Sequence, residues 1–360
     1  MRSNKEFSLD FDPHVLLESI ESLRSLAALA PVTQVAPGVI VDTPEPVSIL
    51  RLDRLQSEFG PQLAGNKLFK LLPLFHCLRA MGVPSVTSFG GYWSNHLWSL
   101  SAMARHYAMS ATALINGEMP SCLTPTLCDA RAQGMQLRFL SRKDYRRLMY
   151  MEGWDALPEY APRSYVVPLG GSGALGILGS VVLGQIAAER HEFAEWRCAA
   201  GSATTAIGLA FARLSSGGES PGRVVALSVA DSPTALEKRA EQSVRAFLNW
   251  LSEKPIIASA LELPHTITVD DVMRVLEFRD VRSISLIKCQ AEPAELSSYR
   301  QRLEQAGCEL ALDPVYTGPL VVHSGRERLG GLFDPGQSLL FHTGGQQGAR
   351  QYGDESSGAV

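Results

Sequence analysis

The sequence predicts an α/β protein of two lobes, each an open, mostly parallel twisted sheet flanked by helices. Three observations carry that prediction. Apolar runs of strand length alternate with helical stretches along the chain. Three of those runs, VPSVTSFGG to Gly91, SYVVPLGG to Gly171 and SLLFHTGG to Gly345, end in a glycine pair, as a buried strand does when it enters a turn without side chains. The chain has 360 residues, 45% hydrophobic and 19% charged, which is enough length for two cores and an ordinary globular composition.

The elements follow in order. In QLAGNKLFKLL, a helix-like run begins directly behind Gly65-Asn66-Lys67. After Gly91, SNHLWSLSAMARHYA carries apolar residues at helical spacing, and after Gly171 so does ALGILGSVVLGQIAAER. RCAAGSATTAIGLAFARL reads as a short strand, a small-residue turn and a helix. GRVVALSVADS and VRSISLIKCQ add strands, and PAELSSYRQRLEQAG adds a helix that Gly307 stops. Strands alternating with helices give parallel sheets covered on both faces. Ligands of such sheets bind beyond the carboxyl ends of the strands, where these glycine turns fall. The expected division is a large lobe of residues 1–67 and 184–345, a small inserted lobe of 68–183 and a polar, frayed tail of 346–360.

A net charge of −4 provides no basic field for nucleic acid and no polybasic membrane anchor. The six cysteines are scattered without a CxxC pair, so reduced thiols in a cytoplasmic protein are expected rather than disulfides or zinc ligands. The N-terminal stretch has acidic residues throughout and no signal-like core. The most apolar stretch, GALGILGSVVLG, is too short to span a bilayer by itself.

Four segments hold candidate chemistry. In AAGSATTAIG, residues Gly201, Ser202, Ala203, Thr204 and Thr205 are small and precede a helix; free amides and hydroxyls there suit a phosphate, and they equally suit a simple helix cap. In FGGYWSNHLW, Ser94 or Asn95 caps the next helix, and the same amides with the Ser94 hydroxyl suit a carboxylate. In LALDPVYTGPL, Asp313-Pro314 forms a turn and Tyr316 is either a core aromatic or a functional one. In FHTGG, His342 reads as a satisfied histidine at a strand end.

Taken in order, GNK, GG..SNH, PLGGS, GSATT, DPVYTG and HTGG resemble the pyridoxal-phosphate enzymes of the tryptophan-synthase-β fold, fold type II. More narrowly they resemble the group of 1-aminocyclopropane-1-carboxylate deaminase and D-cysteine desulfhydrase, over roughly Pro44 to Gly345. The resemblance implies a lyase acting on a small amino acid, with pyridoxal 5'-phosphate as cofactor, in a homodimer. It implies that Lys67 forms the imine with the cofactor, that the turn of Gly201, Ser202, Ala203, Thr204 and Thr205 binds its phosphate, and that Asn95 meets the pyridine O3′. Thr343 and Thr317 would lie by the pyridine ring. Ser94, with Trp93, Asn95 and His96, would line the substrate site, and Tyr316 would face the substrate as an acid–base group.

The deaminases carry Glu after the motif tyrosine and Leu before the last glycine pair; this chain has Thr317 and Thr343, as the desulfhydrases do. A hydroxyl does not hold a pyridinium as a carboxylate does. The resemblance therefore favours β-elimination of a good leaving group, with cyclopropane opening or β-replacement as alternatives, and a degenerate cofactor-binding homologue as a further one. There are departures from the pattern. The Lys-Arg-Asp/Glu-Asp strand that relatives place before GNK is expected to be lost or abridged in RLDRLQSEFGPQLAGNK. Trp93 and Trp98 stand at usually polar positions, and Pro319 replaces a lysine. Lys70, one helical turn beyond Lys67, reads as a surface residue.

Overall fold

The computed structural model describes residues 11–40, 44–55, 63–150, 164–215, 221–285 and 294–345, and among them ten strands form two sheets. Helix α1 (Pro13–Ala28), capped by Asp12, leads into β1 (Val32–Val35) and β2 (Val47–Arg51). Next come α2 (Asn66–Ala80), β3 (Ser85–Gly90), α3 (Asn95–His106), β4 (Ser110–Asn116), α4 (Pro125–Ala132), β5 (Gln136–Leu140), α5 (Arg142–Tyr150) and β6 (Ser164–Val167). Helix α6 (Ala174–Arg190) then returns to β7 (Glu195–Ala200), α7 (Thr204–Ser215) and β8 (Arg223–Ser228). The rest is α8 (Pro233–Ser252), α9 (Pro255–Ala260), α10 (Val269–Val275), β9 (Leu276–Asp280), α11 (Ala294–Gln305), α12 (Thr317–Leu329) and β10 (Ser338–His342).

The smaller sheet has the order β5-β4-β3-β6 and is parallel throughout. The larger has the order β1-β2-β10-β7-β8-β9, with only β1 antiparallel to its neighbour β2. Strands β2, β7 and β10 are buried at every residue, as strands covered on both faces must be. Two charged residues sit inside β7. Arg197, wholly buried, pairs with Glu195 on its own strand and Glu327 on α12, and its guanidinium lies 4.5 Å from the centre of the Phe333 ring. A charge in a sheet interior is tolerable only with such partners.

The strand expected to be missing before Gly65-Asn66-Lys67 is present. It is β2, seated between β1 and β10. Its charged end is buried: Arg51 and Asp53 are joined by two hydrogen bonds of 2.8 and 2.6 Å, so RLD carries an internal ion pair. A second correction concerns VRSISLIKCQ. Residues 282–284 form a short turn of helix and 286–290 lie outside the described residues; the edge strand of the large sheet is β9, just before it. The expected tail, 346–360, also lies outside them.

Helix α6 is longer than its apolar stretch suggests. Residues 169–190 are long and apolar enough to cross a bilayer, yet they are mostly buried against α1, α2 and α7. Its glycines set how closely the helices approach. A Cβ on Gly179 would lie 1.8 Å from the carbonyl oxygen of Phe69 on α2, and one on Gly208 of α7 would lie 2.3 Å from Ser180 Cβ. Helix backbone thus meets helix backbone, which fixes the spacing of α6 against α2 and α7. Gly179→Ala is expected to destabilise the protein by about 1–3 kcal/mol through overpacking, read as a lower midpoint in urea unfolding.

Candidate active site

Lys67 is the second residue of α2. The backbone reaches it through Gly65, at φ 105, where a Cβ would lie 2.6 Å from the Thr343 carbonyl oxygen. Only glycine permits both the left-handed φ and that approach. Three hydrogen bonds then fix the position: Gly65 N donates to Leu52 O (2.8 Å), Asn66 N to Thr343 O (3.1 Å) and Asn66 Nδ2 to Thr205 Oγ1 (2.8 Å). The start of α2 is therefore tied to the end of β10 and to the first turn of α7. Sequence reasoning gave Asn66 no role; its signal was its place between Gly65 and Lys67.

The Lys67 Nζ donates to Gly170 O at 2.9 Å. Burial lowers its pKa from 10.5 to about 8, and a hydrogen bond with the Lys70 side chain partly opposes that fall. Lys70 is not a surface residue. It is 4% exposed, because α2 is covered on this side by α3, α6 and the 169–171 turn, and burial with the neighbouring Lys67 charge holds its pKa well below the usual lysine range.

The small-residue turn lies at the end of β7. Ser202 Oγ and Thr204 Oγ1 are 3.0 Å apart, and Ala203 has φ 59, a left-handed conformation that only a small side chain holds in such close quarters. Thr204 and Thr205 are buried in the first turn of α7. A Cβ on Gly170 would lie 3.3 Å from Ser202 Oγ and 3.8 Å from Lys67 Nζ, so the amine and the hydroxyl turn face one small space left clear by a glycine.

Tyr316 leans over the same turn: a Cβ on Gly201 would lie 3.7 Å from its ring and 3.9 Å from its hydroxyl. Burial, with the nearby Asp313 carboxylate, pushes the phenol up to about 12, so it stays protonated and able to donate. Asp313 builds this corner. Its carboxylate accepts from the amides of Val315 (3.0 Å), Tyr316 (2.7 Å) and Thr317 (2.8 Å), which starts α12 and aims the tyrosine. Thr317 and Thr343 are buried beside it, and the Thr317 hydroxyl reaches Gly344 O at 3.5 Å. His342 is the satisfied histidine expected. Its Nε2 donates to Ala311 O at 2.8 Å, and Nδ1 accepts from Gly344 N at 3.3 Å and lies 3.4 Å from Asp53.

From the smaller sheet, Ser94 caps α3, accepting from Leu97 N at 3.3 Å, and Asn95 opens it. A Cβ on Gly345 would lie 2.8 Å from Asn95 Nδ2 and 3.1 Å from Asp313 Oδ2, so Asn95 meets the large sheet at that glycine. Trp93 is half-buried in the preceding turn. His96, expected at the substrate, is 3% exposed, with Nε2 2.8 Å from Ser88 Oγ on β3. Trp98 donates from Nε1 to Asp129 Oδ2 at 3.0 Å, so it staples α3 to α4.

No protein-family model matches the chain. A curated relative from Pyrococcus horikoshii, called a putative 1-aminocyclopropane-1-carboxylate deaminase, is 26% identical over 303 residues, covering 82% of this chain and 84% of the relative. A solved structure of an ACC deaminase homologue superposes with a TM-score of 0.71 at 22% identity, over 93% of this chain and 97% of that one. A pyridoxal 5'-phosphate-dependent aspartate racemase superposes with a TM-score of 0.58 at 10% identity, over 91% and 95%. The chain has the fold-type-II architecture and is similar to the ACC deaminase group.

The depressed basicity of Lys67 has a direct readout. In the full chain freed of small molecules, acylation of Lys67 by an amine-selective reagent, followed by peptide mass spectrometry, is expected to rise through pH about 8. Exposed lysines are expected to rise near the ordinary value of about 10.4.

Proposed function

From this scaffold and these relatives we infer that the chain is a pyridoxal-phosphate-dependent lyase that releases ammonia from a small amino acid, and more narrowly that it eliminates a β-substituent such as thiolate. The observation that carries the reading is the convergence of a weakly basic, buried amine and a hydroxyl-lined helix start on one space across Gly170. The residues fit the cofactor: an amine for its aldehyde, hydroxyls and free amides at the start of α7 for its phosphate, and a glycine that leaves the room between them.

When bound, the cofactor supplies an electron sink that acidifies the substrate's α-carbon. The chain's own groups do the rest. Ser202, Thr204, Thr205 and the α7 amides hold a dianion with uncharged donors. Lys67, with a pKa of about 8, is uncharged in a usable fraction near neutral pH, so it serves as nucleophile and then as base for the α-proton. The amides and hydroxyl around Ser94 would hold the substrate carboxylate, and Asn95 would serve the ring oxygen. Tyr316, protonated up to about pH 12, gives its proton to the departing group. If Thr317 and Thr343 stand by the pyridine ring, they would offer its nitrogen no carboxylate, and the carboxylate of the adjacent Asp313 is occupied by three amides. A weak sink suits loss of a good leaving group better than opening of a cyclopropane. The name carried by the Pyrococcus relative favours cyclopropane opening as the second reading.

The holo protein is expected to be yellow, and Lys67→Ala to lose the visible band. D-cysteine and β-chloro-D-alanine are expected to yield 2-oxo acid and ammonia faster than 1-aminocyclopropane-1-carboxylate does. Preferential 2-oxobutyrate from the cyclopropane selects the second reading, and a colourless reconstituted protein contradicts both. Tyr316→Phe is expected to lower kcat for elimination by about 10²–10⁴-fold with the visible band kept.

A further inference from the structure

Cys122 and Cys128 have no part in the reading above, and they form a pair. Among the described residues they are the exposed thiols; Cys77 and Cys198 are buried and Cys308 is half-buried. Cys122 stands in the loop that leaves β4, and Cys128 is the fourth residue of α4. Both thiols donate to one acceptor, the carbonyl oxygen of Leu123, which lies 3.6 Å from Cys122 Sγ and 3.9 Å from Cys128 Sγ. No more than the sum of those distances separates the sulfurs. Rotation of the two side chains and a small movement of the loop bring them to the S–S distance of about 2.05 Å.

The backbone on the two sides is unequally held. Helix α4 is tied twice to α3: Trp98 Nε1 donates to Asp129 Oδ2 at 3.0 Å, and Ser101 Oγ donates to Gln133 Oε1 at 2.6 Å. Cys128 adjoins Asp129 and belongs to this fixed side. Residues 117–124 belong to no helix or strand, and their ties run to Tyr92 instead. The Thr124 hydroxyl donates to Tyr92 O and accepts from Leu127 N at 3.3 Å. The Tyr92 phenol donates to Glu118 O at 2.6 Å, in space that Gly117 leaves clear: a Cβ there would lie 2.4 Å from the phenol oxygen. Tyr92 in turn precedes Trp93 and Ser94, in a turn that Ser94 N closes on Gly91 O at 3.2 Å. The thiol-bearing loop therefore grips the 91–94 turn by both a carbonyl and a side chain.

We propose that Cys122 and Cys128 are an oxidation site: hydrogen peroxide joins them in a disulfide, and the new bond draws the 117–124 loop off Tyr92 and loosens the turn that carries Ser94. One sulfur, as thiolate, attacks the peroxide; the O–O bond breaks, leaving a sulfenic acid and one water. The other sulfur displaces the hydroxyl as a second water, and the S–S bond forms. Two electrons pass from the sulfurs to the peroxide, and both thiol protons end in water. Bonding takes the sulfurs off Leu123 O, and because α4 is held, the movement falls on Thr124 and its bond to Tyr92. The consequence for catalysis rests on the proposed function, in which the Ser94 turn takes the substrate carboxylate. It falls on KM rather than kcat, because Lys67 and Tyr316 stand on other elements.

The first test needs neither cofactor nor substrate. The full chain is reduced, desalted and titrated with hydrogen peroxide, and the mass of the tryptic peptide 106–131, which holds both thiols, is read without reductant. The peptide is expected to lose two hydrogens, reversibly with dithiothreitol, whereas in Cys122→Ser and Cys128→Ser the remaining thiol gains oxygen instead. A wild-type peptide whose sulfurs only gain oxygen, or link only to another chain, overturns the site. Amide exchange at residues 91–94 is expected to quicken on oxidation of the wild type and to stay unchanged in Cys122→Ser; unchanged exchange with the disulfide formed overturns the coupling. In the holo protein, assayed with β-chloro-D-alanine because a thiol substrate would reduce the bond, oxidation is expected to raise KM about tenfold with kcat and the visible band kept. A KM that stays in place while exchange quickens contradicts the catalytic consequence. A wild-type holo protein that turns over no amino acid contradicts the proposed function, and the peptide mass and amide exchange still decide the disulfide and its coupling.

Discussion

The removal of one amine from water governs this site. An exposed lysine is almost wholly charged at neutral pH and so is a poor nucleophile; burial lowers the Lys67 pKa to about 8, which is what the proposed role as nucleophile needs. Much of the nearby architecture keeps that amine where no carboxylate restores its charge. The nearest groups are a backbone carbonyl, Gly170 O, and another amine, Lys70. The acidic residue closest to the tyrosine corner, Asp313, has its oxygens engaged by three amides.

Positioning follows from backbone chemistry more than from side chains. The end of β10, the start of α2 and the start of α7 are joined through Gly65, Asn66, Thr343 and Thr205. The amine and the hydroxyl turn therefore belong to one hydrogen-bonded unit, and neither shifts without the other. The smaller sheet joins that unit where Asn95 approaches Gly345, a contact that allows no side chain at residue 345. Glycine at these places is a requirement of distance: a methyl group would occupy the space in which the two sheets meet.

Much of the fold was legible in the sequence, for identifiable reasons. Runs such as SLLFH ahead of a glycine pair announce a buried strand and a tight turn, and the structure has strands there at β3, β6 and β10, of which β10 is buried throughout. Two of the failures concern charged residues that the structure buries. Arg51 and Asp53, at the end of a strand expected to be lost or abridged, are buried as an ion pair, and Lys70, expected at the surface, is buried on α2. In each case what covers the residue is distant in sequence, β1 and β10 beside β2 and α3 and α6 beside α2, which local pattern does not display. For the site, the order of the motifs pointed to Lys67, Tyr316 and the Thr204–Thr205 turn. His96 is held by Ser88, a strand residue with no motif of its own.

The central claim, that residue 67 carries the reactive amine, is tested most directly by reducing the holo protein with borohydride and mapping the labelled peptide. The account requires the pyridoxyl group on Lys67, with none on Lys70 despite its neighbouring amine. A stable label elsewhere, with Lys67 unmodified and cofactor present in stoichiometric amount, would contradict it.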